Sequence, residues 1–201
     1  MRHPSGPNST SPGPRQVELV LLRHGETEWS RLGRYAGLTD LALTADGQAS
    51  ARALGPRLAQ GNYDRIVSSP LQRARSTAEL LALGEVTLDL RLVERDYGDY
   101  EGKTTAEIRA DAPHWHVWTD PVPNGETLAA MTHRVDSFIR DVRQSADRRV
   151  LAVAHAHLIR LVAARWLGLE PAQAALFRLG TLGIAHLGWE RERPVMLSWN
   201  T

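Results

Sequence analysis

From Val17 to the C-terminus, short apolar runs of strand length alternate with longer segments of helical period, and this alternation limits the fold more than any other feature. Runs at 17–22, 64–68, 86–90 and 149–154 read as strands, and two more, about 181–189 and 194–199, close the chain. Thr44 predicts the cap of a helix that carries Ala53, Leu54 and Leu58 on one face and stops near Gly61. Ser69 followed by Pro70 predicts a second helix, with the serine as cap and the proline in its first position, running to about Leu81. Helical periods also cover about 126–145, 157–167 and 171–176. Residues 91–123 read as loop-rich, with one short helix boxed by Thr104 and Glu107. The pattern predicts an α/β fold, a three-layer α/β/α sandwich whose central sheet is mostly parallel and covered by helices on both faces. Ligands in such sheets bind at the carboxyl ends of the strands.

Composition narrows the function. Residues 1–16 hold Pro4, Pro7, Pro12 and Pro14 among small polar side chains and read as a disordered tail, leaving 17–201 as a single domain. The tail has no continuous apolar stretch of the kind a secretory signal needs, so a cytoplasmic protein is expected. The apolar run 150–164 is broken by His155, His157 and Arg160 and is too short and too polar to span a membrane. With 24 basic against 23 acidic side chains the net charge is +1, which argues against a dedicated nucleic-acid binder. The absence of cysteine excludes thiol nucleophiles, disulfides and Cys-ligated metals.

The chemistry gathers at strand ends. The first strand runs into Arg23-His24-Gly25-Glu26-Thr27, which puts a guanidinium fork and an imidazole where ligands bind. Arg73 falls in the first turn of the helix after the second strand, where free N–H groups already favour anions. His155 follows the strand at 149–154. Three strand ends delivering cationic or imidazole side chains suggest a pocket for a dianion, and phosphate fits best. Taken singly, each has an ordinary alternative: a salt bridge for Arg23, a loop histidine for His24, a solvated helix charge for Arg73.

Together these residues resemble the histidine phosphatase superfamily, the phosphoglycerate mutase-like family. Leu21-Leu22-Arg23-His24-Gly25-Glu26-Thr27-Glu28-Trp29-Ser30 matches its extended Arg-His-Gly motif. Further matches are residues 69–73 with Thr77-Ala78, Leu92-Val93-Glu94 with Gly98 and Glu101-Gly102, Pro123-Asn124-Gly125-Glu126, and His155-Ala156-His157. The resemblance implies a metal-independent phosphomonoesterase, without cofactor, acting on small phosphorylated metabolites of the sugar-phosphate type. In it His24 would be the nucleophile that forms a phosphohistidine. Arg23, Arg73 and His155 would clamp the nonbridging oxygens, with Thr27 and Ser30 as further phosphate contacts. Glu94 would protonate the leaving alkoxide and then activate water; its alternative is a salt bridge to Arg91 or Arg95. The resemblance is also compatible with a homodimer.

Two positions depart from the common pattern: Ser30 stands where many members have Asn, and Ala156 where the second histidine is usually followed by Gly. The pairs His155/His157 and His114/His116 lack a carboxylate at metal-ligand spacing, so no metal is expected. Trp115 and Trp118 either wall the pocket or pack the loop onto the core. Two competing functions remain. A cofactor-dependent phosphoglycerate mutase shares the catalytic residues, but only residues 95–154 separate Glu94 from His155, and the mutases carry a longer insert there. A catalytically silent phosphate-binding protein would be marked by loss of one of these residues, and all are present.

Overall fold

The structure, a computed structural model, describes residues 16–201; the expected tail lies outside the described residues except for Gln16. Six strands form one sheet in the order β3-β2-β4-β1-β5-β6. They are β1 (Glu18–Arg23), β2 (Arg65–Ser68), β3 (Thr87–Leu88), β4 (Arg149–Ala154), β5 (Ile184–Glu190) and β6 (Arg193–Trp199). The first four are mutually parallel, and β5 and β6 add an antiparallel edge. The expected α/β architecture with a mostly parallel sheet is therefore present.

Strand alternation divides the core in two. Leu19 and Leu21 of β1, with Val150, Ala152 and Ala154 of β4, face α5 (Leu128–Gln144) and α6 (Ala156–Trp166). Val20, Leu22, Leu151 and Val153 face α2 (Ala45–Ala59) and α3 (Gln72–Leu80) on the other side. Parallel strands are covered on both faces, which is why β1 and β4 are nearly continuous apolar runs. Two short helices complete the set, α1 (Glu28–Arg31) and α4 (Thr105–Asp111), the latter opened by the expected box of Thr104 and Glu107.

Three local expectations change. Thr44 does cap α2, but the helix buries Gly47, Ala51, Gly55 and Leu58, and Ala53 is exposed, because a helix starting at Ala45 turns that stripe inward. Ser69 does not cap α3. Leu71 is the cap residue and makes no side-chain cap bond, and Pro70 lies outside the helix. The first N–H of α3, at Gln72, is satisfied instead by Asp40 at 2.7 Å from a distant loop, while Ser69 Oγ meets His155. Tertiary partners have displaced the local cap. Residues 171–176 form a 3₁₀ helix rather than an α-helix.

Candidate active site

Sheet register creates the site. Arg23 pairs with Ala154, and Ser68 with Val153, so β1, β4 and β2 end at one level. The ladder runs one residue further: His24 N–H donates to Ala154 O at 2.9 Å and Ser69 N–H to Val153 O at 3.0 Å. His24, Ser69 and His155 therefore leave the sheet side by side, with the two imidazole centroids 5.2 Å apart. Gly25 follows directly. Its N–H donates to Thr77 Oγ1 at 3.0 Å, and a Cβ there would lie 2.9 Å from Gly47 O, so only glycine lets this turn rest against the start of α2.

Hydrogen bonds settle the imidazole tautomers. His24 Nδ1 lies 2.7 Å from Gly25 O. A carbonyl only accepts, so Nδ1 carries the proton. Burial, with Arg23 and Arg73 nearby, holds this imidazole well below its ordinary pKa, which leaves an uncharged ring whose Nε2 lone pair is free. His155 has the opposite tautomer. Arg73 Nε donates to its Nδ1 at 3.1 Å, so the proton sits on Nε2 and points to Ser69 Oγ at 2.8 Å. Burial, followed by the charge of Arg73, keeps His155 neutral too.

Arg73 is fully buried. Besides His155 it donates to Thr39 O at 2.9 Å, Ala36 O at 3.0 Å and Gly37 O at 2.7 Å. Four of its five N–H donors are committed, and one on Nη1 remains. Glu101 holds the same loop from its amide side, accepting from Gly37 N at 2.7 Å and Leu38 N at 3.1 Å. Arg23 differs: Nη1 donates to Leu179 O at 2.8 Å, but its buried Nε has no partner among the described residues.

Glu94 is buried and takes neither salt bridge open to it in the sequence. Arg91 pairs with Asp89, and the Arg95 side chain donates to Glu126 O and Val117 O. Its carboxylate accepts the N–H groups of Arg95 (2.9 Å), His157 (3.0 Å) and Leu158 (3.0 Å), thereby capping α6. Burial pushes the carboxyl pKa up and those N–H bonds pull it down; burial prevails, and the group lies above the usual carboxylate range. The backbone beneath it is braced by Arg134. This guanidinium donates to Arg91 O and Val93 O, both at 2.7 Å, to Glu94 O at 3.2 Å, and twice to Glu126, at 2.7 and 2.8 Å. Arg134, Glu101 and Ser69 are positioning residues that sequence reasoning missed; for Glu101 and Ser69 the matched motif was the available signal, and Arg134 lies outside every matched motif.

Arg23, His24, Thr27, Ser30, Glu94, Ala156 and His157 line one cavity of about 80 Å³, together with Arg34, Tyr35, Ala36 and Tyr97. At about 10–15 Å³ per ordered water, that space holds several waters or one tetrahedral oxyanion. Arg73 and His155 stand behind this lining. Thr27 and Ser30 box the start of α1: Ser30 N–H donates to Thr27 Oγ1 at 3.1 Å and Ser30 Oγ–H to Thr27 O at 2.9 Å. The Ser30 proton is thus committed, and the Thr27 hydroxyl proton is not. The Ala156 methyl is accommodated on the cavity wall. Trp115 and Trp118 are buried and do not line the cavity; they pack the 91–123 segment onto Tyr35 and His157. Among the described residues, no group of three or more His, Cys, Asp or Glu is placed to hold a metal, and no helix is long and apolar enough to cross a membrane.

At the parallel strand ends of this α/β sandwich, a phosphate-sized cavity is thus lined by an uncharged histidine, arginines and a buried carboxyl. Residues 19–201 match the histidine phosphatase superfamily (branch 1), and the chain belongs to that family and is an enzyme of its phosphatase class. It is 40% identical over 181 residues to an acid phosphatase of Mycobacterium tuberculosis, covering 89% of each chain. It is 34% identical over 183 residues to a sedoheptulose 1,7-bisphosphatase of Saccharomyces cerevisiae, covering 75% of this chain and 67% of the relative. Among solved structures, a mycobacterial glucosyl-3-phosphoglycerate phosphatase complexed with VO3 superposes with a TM-score of 0.84 at 32% identity, over 92% of this chain and 99% of that one.

Proposed function

We propose that the protein hydrolyses small phosphate monoesters of the sugar-phosphate type through a phosphohistidine, without metal. The carrying observation is His24: its Nδ1 proton is held by Gly25 O, and its Nε2 lone pair faces a cavity shared with Arg23 and Glu94. Nε2 attacks phosphorus in line, the P–O bond to the alcohol breaks, and the leaving oxygen takes the Glu94 proton. Water then attacks the phosphohistidine, giving its proton to Glu94 and returning Nε2 with its lone pair. The raised pKa of Glu94 supports its holding a proton for the first half.

The transferring phosphoryl group is held by charge. Arg23 Nε, unpartnered in a buried place, and the remaining Nη1 donor of Arg73 serve the nonbridging oxygens. His155 lies against His24 and joins that clamp by turning its Nε2–H from Ser69. Thr27 offers its hydroxyl, and Ser30 acts through Thr27. Each charge-assisted bond contributes about 1.5–3 kcal/mol, so losing either arginine lowers the rate about tenfold to hundredfold.

The cavity accepts the phosphoryl group and little more, leaving the alcohol to contacts at its mouth. Sugar-bisphosphate and glucosyl-phosphoglycerate phosphatases among the relatives support a polyol leaving group. The test is phosphate release from p-nitrophenyl phosphate, phosphorylated sugars and glycerates, in chelator, with wild type and His24→Ala. Release that survives chelation and disappears in the variant is expected. Isomerisation of 3-phosphoglycerate primed with 2,3-bisphosphoglycerate, without release, would replace the phosphatase by a mutase, and phosphate binding without turnover would make it a binding protein.

A further inference from the structure

His157 has no part in the transfer just described, yet it lines the same cavity as His24 and Glu94. Its Nδ1 stands 2.6 Å from Tyr97 Oη and 4.0 Å from Glu94 Oε2. Tyr97 is buried, and its hydroxyl has no second partner among the described residues. Burial also raises the phenol pKa well above its ordinary value, so the group keeps its proton. A buried hydroxyl with one neighbour satisfies its proton only by donating to that neighbour. His157 Nδ1 is therefore an acceptor.

The ring is uncharged, because burial and then the charges of Arg160, Arg23 and Arg95 disfavour the imidazolium. A neutral ring that accepts at Nδ1 carries its proton on Nε2. That N–H has no partner among the described residues. Packing fixes its direction: Tyr35 stacks on the ring at 5.9 Å and 23°, and Trp118 meets it edge-on at 5.2 Å. Trp118 is held in turn beneath the Arg160 guanidinium, 4.9 Å from its centroid.

We infer that His157 is a specificity-determining residue, whose Nε2–H, oriented by Tyr97, donates to a hydroxyl oxygen on the alcohol part of the phosphate monoester. This rests on the phosphatase reading, in which Glu94 meets the leaving oxygen. The His157 ring, adjoining Glu94, then lies on the alcohol side of the phosphoryl group. An uncharged donor between aromatic walls suits a neutral oxygen, and the nearby arginines are better suited to charged ones. Nor does the site gather a metal's ligands: among the described residues no group of three or more His, Cys, Asp or Glu is placed to hold an ion. His157 is also no general acid: a neutral imidazole N–H gives up its proton far less readily than a carboxyl group.

The test compares glycerol 3-phosphate with propyl phosphate, two alkyl esters that differ in the hydroxyls of the leaving group. Wild type is expected to favour the glycerol ester. His157→Leu lowers the ratio of the two kcat/KM values about tenfold, chiefly through KM, as expected for one lost hydrogen bond. His157→Gln, which keeps a donor, restores most of that ratio, and Tyr97→Phe gives an intermediate value. Independently of any variant, ¹⁵N NMR of the wild-type protein is expected to report His157 as the Nε2–H tautomer. An Nδ1–H tautomer, or a His157→Leu protein in which both esters decline in parallel, would overturn the inference while leaving the phosphatase reading intact. Failure of the wild type to hydrolyse any monoester would remove both.

Discussion

Three imidazoles, those of His24, His155 and His157, are uncharged among Arg23, Arg73 and Arg160 because burial and those neighbouring cations both penalise a further positive charge. Each has a different hydrogen-bond partner, and so a different job becomes available to each. Glu94 is their counterpart, a carboxyl whose burial outweighs three N–H bonds. If Glu94 supplies the leaving-group proton, Glu94→Gln lowers kcat on alkyl phosphates about 10²- to 10⁴-fold. The loss on p-nitrophenyl phosphate is much smaller, since p-nitrophenolate departs without a proton; equal losses on both would exclude the acid role. At this scale the sequence was informative. The motif placed Arg23, His24, Arg73, Glu94 and His155, and folding brings all five to one end of the sheet. The commitments of their individual atoms were not legible, because the bonds of Arg73 to residues 36–39 and of His155 to Ser69 join segments far apart in the chain.

The elements that carry the site are tied together by buried polar groups as well as by the core. Arg134 of α5 holds the carbonyls of Arg91, Val93 and Glu94 and pairs with Glu126, using every donor it has. Arg134→Met strands Glu126 and three carbonyls, and is expected to cost about 3 kcal/mol in urea denaturation. Arg134→Lys recovers little of it, since an ammonium lacks the planar fork; a Lys variant as stable as wild type would contradict this bracing role. Strand and helix positions were legible from periodicity, including the boxed start of α4. The start of α3 departs from its local pattern because its first N–H is capped by Asp40, a partner that local spacing cannot reveal. The phase of α2 was likewise set by the sheet it covers, and α5 begins at Leu128 because the Thr127 side chain caps it, accepting the N–H of Ala130 at 3.1 Å.

For the whole molecule, the buried histidines link stability to pH. In the unfolded chain they protonate near the ordinary imidazole value of 6.5, whereas in the fold their pKa values are lowered. Below about pH 6.5 the unfolded state therefore binds up to three more protons at these sites, and stability falls as pH drops. Glu94 opposes this with one proton, because its raised pKa lets the fold bind a proton that the unfolded chain has lost above its ordinary value of 4.5. The balance predicts a melting temperature that declines from pH 7.5 to 5.5, more steeply than in His157→Gln; a rise over that range would show that these histidines are charged in the fold. The overall α/β/α architecture was the most legible scale of all, since β1 and β4 read as runs buried on both faces. The proposed hydrolysis turns on a covalent intermediate at one nitrogen, Nε2 of His24. The direct measurement is rapid acid-free denaturation during turnover of a phosphorylated sugar in chelator, followed by mass spectrometry of the peptide containing His24. The expected result is one phosphoryl group on His24, stable to base and lost in acid, and absent from His24→Ala. Steady turnover with His24 unmodified, or undiminished phosphate release by His24→Ala, would contradict the account.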